Sequence, residues 1–117
     1  MPAYARWTRH SAAIWPEFAR RIGEISGQPP ELSQPGGLML YLSEDEAAEA
    51  VSKLERIRDA LGGDYPFEFL GHNALKRRIP SVGTDVIGAT FHAEDGHVNP
   101  LYLLRGLYAA FNAAGGR

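Results

Sequence analysis

One junction near the middle of the sequence constrains the fold more than any other feature. An almost continuous apolar segment, residues 38–42, is followed at once by Ser43 and, three positions later, by Glu46. This pattern is a capping box, and the acids at positions 44–46 suit the positive end of a helix. We therefore predict a strand that leads directly into a helix, which the glycines at positions 62–63 end.

Other stretches have helical periodicity. Residues 4–26 place an apolar stripe on one side of an amphipathic helix, in which Pro16 either introduces a kink or begins a second helical piece. Asn99 and Pro100 form an N-cap with proline at the first helical position, which predicts a helix that ends before residues 115–116. A short helix is also predicted at residues 73–79, before Pro80.

The remaining segments predict the sheet. The stretch ELSQPGGLMLYLS indicates a hairpin with a well-buried second strand, and strands are also expected at residues 65–70 and 86–93. Strands joined by a hairpin and by helices of this length are typical of an α+β fold. We predict a small, largely antiparallel sheet with helices packed on one side, as a single domain over residues 1–117.

Composition excludes several classes of partner and chemistry. A net charge of −2 gives no electrostatic reason to expect nucleic acid or an anionic membrane as a partner. The absence of cysteine excludes disulfides, thiolate metal sites and cysteine nucleophiles. No apolar run approaches the ~20 residues of a membrane helix, and the N-terminus lacks the pattern of a signal peptide. We expect a soluble, cytoplasmic protein.

The stretch HAEDGHVNP combines potential metal ligands with turn residues. His92, Glu94 and His97 would suit zinc or iron in a small metal-dependent hydrolase, but on a strand His92 and Glu94 point one way while His97 lies past a glycine turn. The alternative is that Asp95-Gly96 is a turn and Asn99 begins a helix, with His97 bonded to the loop backbone. We prefer this alternative and predict no metal site.

Nothing else in the sequence indicates a catalyst. The serines lack a glycine-flanked elbow, and no GxGxxG follows a strand, so no catalytic or cofactor-binding residue is predicted. The aromatic residues follow structural periodicity and are predicted to belong to the core; they include Trp7, Trp15, Phe18, Phe67, Phe69, Tyr102, Tyr108 and Phe111.

Three segments, taken in order, carry a family resemblance. They are GGLMLYLSEDEAAEAVSKLERIRDALG, LGHNALKRRIPSV and VIGATFHAEDGHVNPLYLLRGLYAAFNAAGGR. Together they resemble the middle part of FAD-dependent oxidoreductases of the D-amino-acid oxidase, glycine oxidase and sarcosine oxidase type, over roughly residues 10–117. The segment at residues 95–100, DGHVNP, is the most specific of the matching pieces. The resemblance is to a substrate-domain fragment, because the family's dinucleotide fingerprint and its C-terminal part are missing.

The resemblance implies a function for the parent protein. It implies FAD in the full-length parent, hydride transfer to the flavin from a small amine or amino acid, and no cofactor bound by this chain alone. His97 matches a position near the substrate in some members, which implies a place at the rim of the pocket. His92 and Met39 are expected on one sheet face, without an assigned role. The chain is expected to be inactive alone.

Two consequences follow for partners. The chain would join the missing flavin-binding portion of the parent, and its open sheet edge or apolar face would cause self-association. The alternative from another class is a free-standing α+β binding or dimerisation module, which the absent flavin motif favours and the DGHVNP segment disfavours. A small metal-dependent hydrolase is the third hypothesis.

Overall fold

The computed structural model describes residues 2–117, which fold into helices and a small sheet. The elements in chain order are α1 (Pro2–Ser26), β1 (Gly37–Tyr41), α2 (Glu44–Ala60), β2 (Glu68–Gly71), α3 (His72–Arg78), β3 (Gly88–His92) and α4 (Pro100–Ala113). The strands form one antiparallel sheet in the order β1-β3-β2. The predicted α+β class with a small antiparallel sheet is confirmed.

The chain divides into two compact units. The first contains the residues up to Trp7 together with Gly36–Ala93, and thus includes the sheet, α2 and α3. The second contains Thr8–Pro35 and Glu94–Arg117, and thus includes most of α1 and all of α4. The single domain expected over residues 1–117 stays a prediction.

The predicted junction between strand and helix is present. The Ser43 hydroxyl accepts a hydrogen bond from the Glu46 N–H at 3.2 Å, and a Glu46 carboxylate oxygen accepts one from the Leu42 N–H at 3.1 Å. One N–H group of the first helical turn, and the N–H of the residue before the N-cap, therefore have partners. Helix α2 starts where the sequence predicts, and its buried residue Ala47 lies on the predicted apolar face.

The predicted hairpin is wrong. Of its two strands only β1 forms, and Ser33, from the expected first strand, makes an isolated bridge to His97 instead. Pro35 lacks an N–H, and Gly36 adopts φ +94°, so the backbone cannot continue as a regular ladder through the turn. The strand β1 is also less buried than predicted, because it lies at an edge of the sheet and the Met39 side chain is 61% exposed.

The hydrophobic core of the first unit lies beside β2 and β3 and consists of aliphatic residues. Leu70, Leu75, Val86 and Ala89 form its buried cluster. The partly buried residues around this cluster are Leu38, Ala74, Ile79, Val82 and Phe91. Helix α3 contacts both strands and closes this cluster with the fully buried Leu75.

The prediction that the aromatic residues form the core is wrong. Trp15 and Phe67 are half-buried, and the others are exposed: Trp7, Phe18, Phe69, Tyr102, Tyr108 and Phe111. Helical periodicity identifies the apolar face of a helix, but it does not show that this face is buried. Within residues 2–117 these aromatic side chains are not buried by other residues. In α4 the exposed side chains Leu101, Leu104, Tyr108 and Phe111 form one stripe at helical spacing.

Helix α1 is continuous through Pro16, so the alternative of a second helical piece is wrong. Proline has no N–H to donate to the carbonyl four residues earlier, which belongs to Ala12. That carbonyl accepts a hydrogen bond from the Gln34 side chain at 3.0 Å instead. None of the helices in the described part of the chain has the combined length and apolar character that crossing a membrane requires.

Candidate functional site

The segment between β3 and α4, residues 94–99, is held against the segment at residues 30–34. Ser33 and His97 exchange two backbone hydrogen bonds, of 2.9 Å from the Ser33 N–H and 2.8 Å from the His97 N–H. The Asn99 N–H donates to the carbonyl of Pro30 at 3.1 Å. Backbone bonds at two points therefore fix the conformation of this segment, which we call the 94–99 segment.

Side chains fix the beginning of the 94–99 segment. The guanidinium of Arg9 donates from Nε and Nη2 to the two carboxylate oxygens of Glu94, at 3.2 and 3.3 Å. The amide of Gln34 donates to the Glu94 carbonyl at 3.3 Å, in addition to its bond with Ala12. A two-point contact between a guanidinium and a carboxylate is geometrically specific, so Glu94 is a structural anchor of the segment.

Position 96 must be glycine because residues 30–34 and the 94–99 segment approach each other closely there. A Cβ atom at this position would lie 2.4 Å from the Ser33 carbonyl oxygen and 2.8 Å from the Gln34 Cα. Both are backbone atoms, and the bridge between Ser33 and His97 prevents them from moving away. The turn itself lies at residues 93–94, slightly earlier than the sequence predicted, so Gly96 serves close packing between the segments.

The end of the 94–99 segment begins helix α4 as predicted. The Asn99 Oδ1 atom accepts hydrogen bonds from the N–H groups of Leu101 and Tyr102, at 3.1 and 3.3 Å. Pro100 occupies the first helical position, where its missing N–H costs nothing. The interpretation of this part of HAEDGHVNP as a helix start is confirmed.

His97 is the residue that the segment presents to its surroundings. Its backbone is fixed by the bridge to Ser33, while its side chain is exposed. An imidazole can donate and accept hydrogen bonds. A fixed backbone that carries an exposed imidazole is suited to orienting a polar group of a ligand, but the pocket role of His97 stays a prediction.

The residues named for the metal alternative do not form a ligand set. In the described residues, no group of three or more His, Asp or Glu side chains is placed to hold a metal ion. The Glu94 carboxylate is already paired with Arg9. The His92 ring packs against the rings of Tyr65 and Phe67, with centroids 6.0 and 6.3 Å away.

A second candidate region is one face of the sheet. Residues opposite each other in an antiparallel pair share a face, and so do residues two apart on one strand. The register therefore groups five side chains on what we call the Met39 face: Met39, Tyr41, Phe69, Thr90 and His92. The expected placement of Met39 and His92 on the same face agrees with this register.

A polar pair lies on the Met39 face. The Tyr41 hydroxyl and the Thr90 hydroxyl are 2.9 Å apart, and Thr90 is only 1% exposed. Sequence reasoning missed this pair, because both residues also fit an ordinary strand. Nothing in the spacing of positions 41 and 90 indicates that the sheet register would bring their hydroxyls together.

One end of the sheet carries stacked aromatic and charged groups and a small cleft. The Arg58 guanidinium lies 5.1 Å from the centre of the Phe67 ring, and that of Arg78 lies 4.2 Å from the centre of the Phe91 ring. The cleft has a volume of about 240 Å³ and is lined by Pro66, Phe67, Glu68, Phe91 and Ala93. Ligand pockets usually exceed roughly 300 Å³, so this cleft is small for an organic substrate.

Glu17 and Arg20, on the surface of α1, have shifted pKa values. The Arg20 guanidinium donates hydrogen bonds of 2.9 and 2.7 Å to the Glu17 carboxylate, and this keeps the pKa of Glu17 below its usual value. Arg20 also pairs with Glu24, and its own pKa is raised by the two carboxylates. Glu17 is fully exposed, so the pair affects local charge and does not mark a catalytic group.

The starts of α2 and α4 do not suit the pyrophosphate of a flavin dinucleotide. Free N–H groups at the positive end of a helix form a ready-made site for a pyrophosphate. At the start of α2, the acids Glu44, Asp45 and Glu46 would repel it, and at the start of α4 the Asn99 side chain already occupies the N–H groups. Neither of these two helix starts therefore offers a phosphate cradle for FAD.

Comparison with known proteins agrees with this fold and identifies its class. A profile of the family described as FAD dependent oxidoreductase matches residues 1–117. This chain belongs to that family. The predicted resemblance to flavoenzymes of the D-amino-acid oxidase type is confirmed.

Two curated relatives carry the name of an opine oxidase subunit. The one from Rhizobium meliloti is 33% identical over 115 residues, and the one from Agrobacterium tumefaciens (strain Ach5) is 36% identical over 115 residues. In each case the match covers 97% of this chain and 31% of the relative. The chain thus spans about a third of the length of these proteins.

Solved structures have the same fold. Glycine oxidase from Geobacillus kaustophilus matches with a TM-score of 0.81 and 24% identity, over 92% of this chain and 28% of that one. Glycine oxidase from Bacillus cereus ATCC 14579 matches with a TM-score of 0.69 and 25% identity, over 91% and 28% respectively. The arrangement of helices and sheet therefore occurs within larger flavoenzymes.

Proposed function

We propose that this chain is the substrate-domain portion of an FAD-dependent oxidoreductase that oxidises a small amine or amino acid. The single observation that carries the proposal is the family match, which extends over residues 1–117. The names of the relatives, opine oxidase and glycine oxidase, favour a substrate in which an amine lies next to a carboxylate. Within this class, an opine is the first substrate to test, because the relatives of that name are 33% and 36% identical to this chain over the matched residues.

In this proposal FAD is bound by another portion of the enzyme. The basis is chemical: the start of α2 carries acids and the start of α4 has an occupied cap, and neither suits a pyrophosphate. A cofactor enzyme depends on its protein groups for binding and orientation, and that is the role we assign to this chain. The chain has no oxidase activity alone, and its place is in the cytoplasm.

His97 lies at the rim of the substrate pocket in this proposal. Its fixed backbone and exposed imidazole support a role in orienting the carboxylate or amine of the substrate. It does not act as an obligatory acid or base. The missing flavin-binding portion is the partner that completes the pocket, and the chain without that partner self-associates through a sheet edge or an apolar face.

The test uses the native enzyme that contains this chain. The His97→Ala change should raise KM for the amine by roughly three- to tenfold and leave kcat nearly unchanged, as expected for the loss of about one hydrogen bond in substrate binding. His10→Ala, on the exposed surface of α1, is the matched control and should leave both constants unchanged. If both variants have unchanged kinetics, His97 does not contact the substrate. If the native enzyme oxidises no amine or amino acid, the proposed function itself is wrong.

A free-standing α+β binding or dimerisation module is the second candidate. It is favoured by the starts of α2 and α4, which do not suit a pyrophosphate. The two candidates differ in flavin content: the native protein should contain FAD under the first and none under the second. The metal-dependent hydrolase is not carried further, since its residues form no ligand set in the part of the chain described.

A further inference from the structure

The two edges of the sheet differ in how well they are protected against pairing with another strand. The edge strand β2 has four residues, of which Glu68 is charged and paired with Arg78 at 3.3 Å. Pro66 precedes it, and α3 begins at His72 directly after it. Charge, proline and short length are the features by which natural proteins block edge pairing, so β2 is protected.

The opposite edge, β1, lacks the charge: Pro35 lies two residues before it, as Pro66 lies two residues before β2, but none of its five residues is charged. Its sequence is GLMLY, with no charge and no proline in the strand. Met39 and Leu40 are exposed, and so is Leu42, which follows the strand. Within residues 2–117 no strand other than β3 pairs with β1. An uncharged, apolar edge with unpaired backbone groups readily accepts a further strand.

The strand β1 is complementary to a second copy of itself. An antiparallel pair with its two-fold axis at Met39 places Leu38 opposite Leu40 of the other copy, and Gly37 opposite Tyr41. The small residue at one end thus receives the large residue from the other end, and no charges are brought together. A closed two-fold contact of this kind uses the same surface on both copies.

From this asymmetry we infer that the 117-residue chain dimerises through antiparallel pairing of β1 with β1 of a second copy. The dimer has one continuous six-stranded sheet, in which the two β1 strands are central and the two protected β2 strands form the outer edges. The inference rests on the self-association included in the proposed function and names its surface. Pairing covers both the backbone groups of β1 and its exposed apolar side chains.

The register supplies a matched pair of variants. Met39 on β1 and Phe69 on β2 both lie opposite Thr90 of the central strand, and both side chains are exposed. In sedimentation experiments on the 117-residue chain, Met39→Lys should weaken the dimer by roughly tenfold or more, because like charges then lie directly opposite each other. Phe69→Lys should leave the dimer unchanged, because it changes only the outer edge.

A mixing experiment separates pairing from misfolding. Met39→Glu should weaken the dimer as Met39→Lys does, and a mixture of the two variants should recover dimer through opposite charges across the two-fold axis. Three results would overturn the inference: a monomeric wild-type chain, a dimer that Phe69→Lys disrupts while Met39→Lys does not, or a mixture that stays monomeric. The measurement uses no flavin or substrate, so failure here leaves the flavoenzyme proposal to its own test.

Discussion

The side-chain amide of Gln34 donates a hydrogen bond of 3.0 Å to the carbonyl oxygen of Ala12, the acceptor that Pro16 leaves without its usual helical donor. The same amide nitrogen donates to the Glu94 carbonyl at 3.3 Å. One side chain thus supplies the hydrogen bond that Pro16 cannot donate to the Ala12 carbonyl, and it also anchors the 94–99 segment. This link makes the continuity of α1 and the position of His97 depend on a shared residue.

The loss of folding stability caused by replacing Gln34 should therefore depend on which residue is at position 16. Gln34→Ala removes two hydrogen bonds at a half-buried site, and we expect unfolding measured in urea to become easier by about 1–2 kcal/mol. In a Pro16→Ala background the cost should fall, because the new N–H of residue 16 can bond to the Ala12 carbonyl. Equal costs in the two backgrounds would show that Gln34 does not compensate for Pro16.

Gly96→Ala should destabilise the chain through a direct clash. The added methyl group would meet the Ser33 carbonyl oxygen at 2.4 Å, and overpacking of this kind costs about 1–3 kcal/mol. Gly83→Ala is the control, because a Cβ at position 83 meets no atom within 4 Å. We expect denaturant midpoints to separate the two variants, and a Gly96→Ala midpoint equal to that of the control would refute the close approach.

Removing the hydroxyl of Tyr41 should reduce folding stability more than removing the hydroxyl of Thr90. Tyr41→Phe leaves the Thr90 hydroxyl buried without its partner, which should cost about 1–3 kcal/mol. Thr90→Val leaves the Tyr41 hydroxyl, which is less buried and can bond to water, so we expect about 0.5–1.5 kcal/mol. In a double-mutant cycle the combined cost should be less than the sum, and simple additivity would mean that the two hydroxyls do not interact.

The lowered pKa of Glu17 predicts how folding stability changes with pH. Because its folded-state pKa lies below the unfolded value of 4.5, the pair with Arg20 contributes stability above pH 4.5, and this contribution is lost as the pH falls through the folded pKa. In an NMR titration of the carboxyl group, Arg20→Gln should raise the pKa of Glu17 toward 4.5. Arg21→Gln should raise it less, since Arg21 has the smallest effect on this group. An Arg21 effect as large as that of Arg20 would contradict the hydrogen-bond origin of the shift.

Local patterns predicted the parts of the fold that depend on neighbours in sequence. The capping box at Ser43 and the Asn99-Pro100 helix start both place a helix correctly, because each bonds within a few residues of itself. The hairpin before β1 failed for the opposite reason: the partner of Ser33 is His97, which is distant in sequence. No local pattern encodes a pairing of that kind.

The same distinction applies to burial and to the site. The apolar stripe of α4 correctly predicted a helix, but periodicity does not say which part of a protein covers an exposed Tyr108. The sequence singled out His97 through a family resemblance, whereas the contacts that fix it, from Gln34, Arg9 and Ser33, come from remote positions. The hydroxyl pair of Tyr41 and Thr90 was missed because it depends on the sheet register.

The most direct test of the proposed flavoenzyme is the visible absorption spectrum of the native protein that contains this chain. We expect the absorption bands of oxidised FAD, which should disappear when an opine or a small amino acid is added without oxygen and return when air is admitted. The 117-residue chain alone, mixed with FAD, should show only the spectrum of free flavin. A native protein that contains no flavin, or whose flavin no amine or amino acid reduces, would contradict the account.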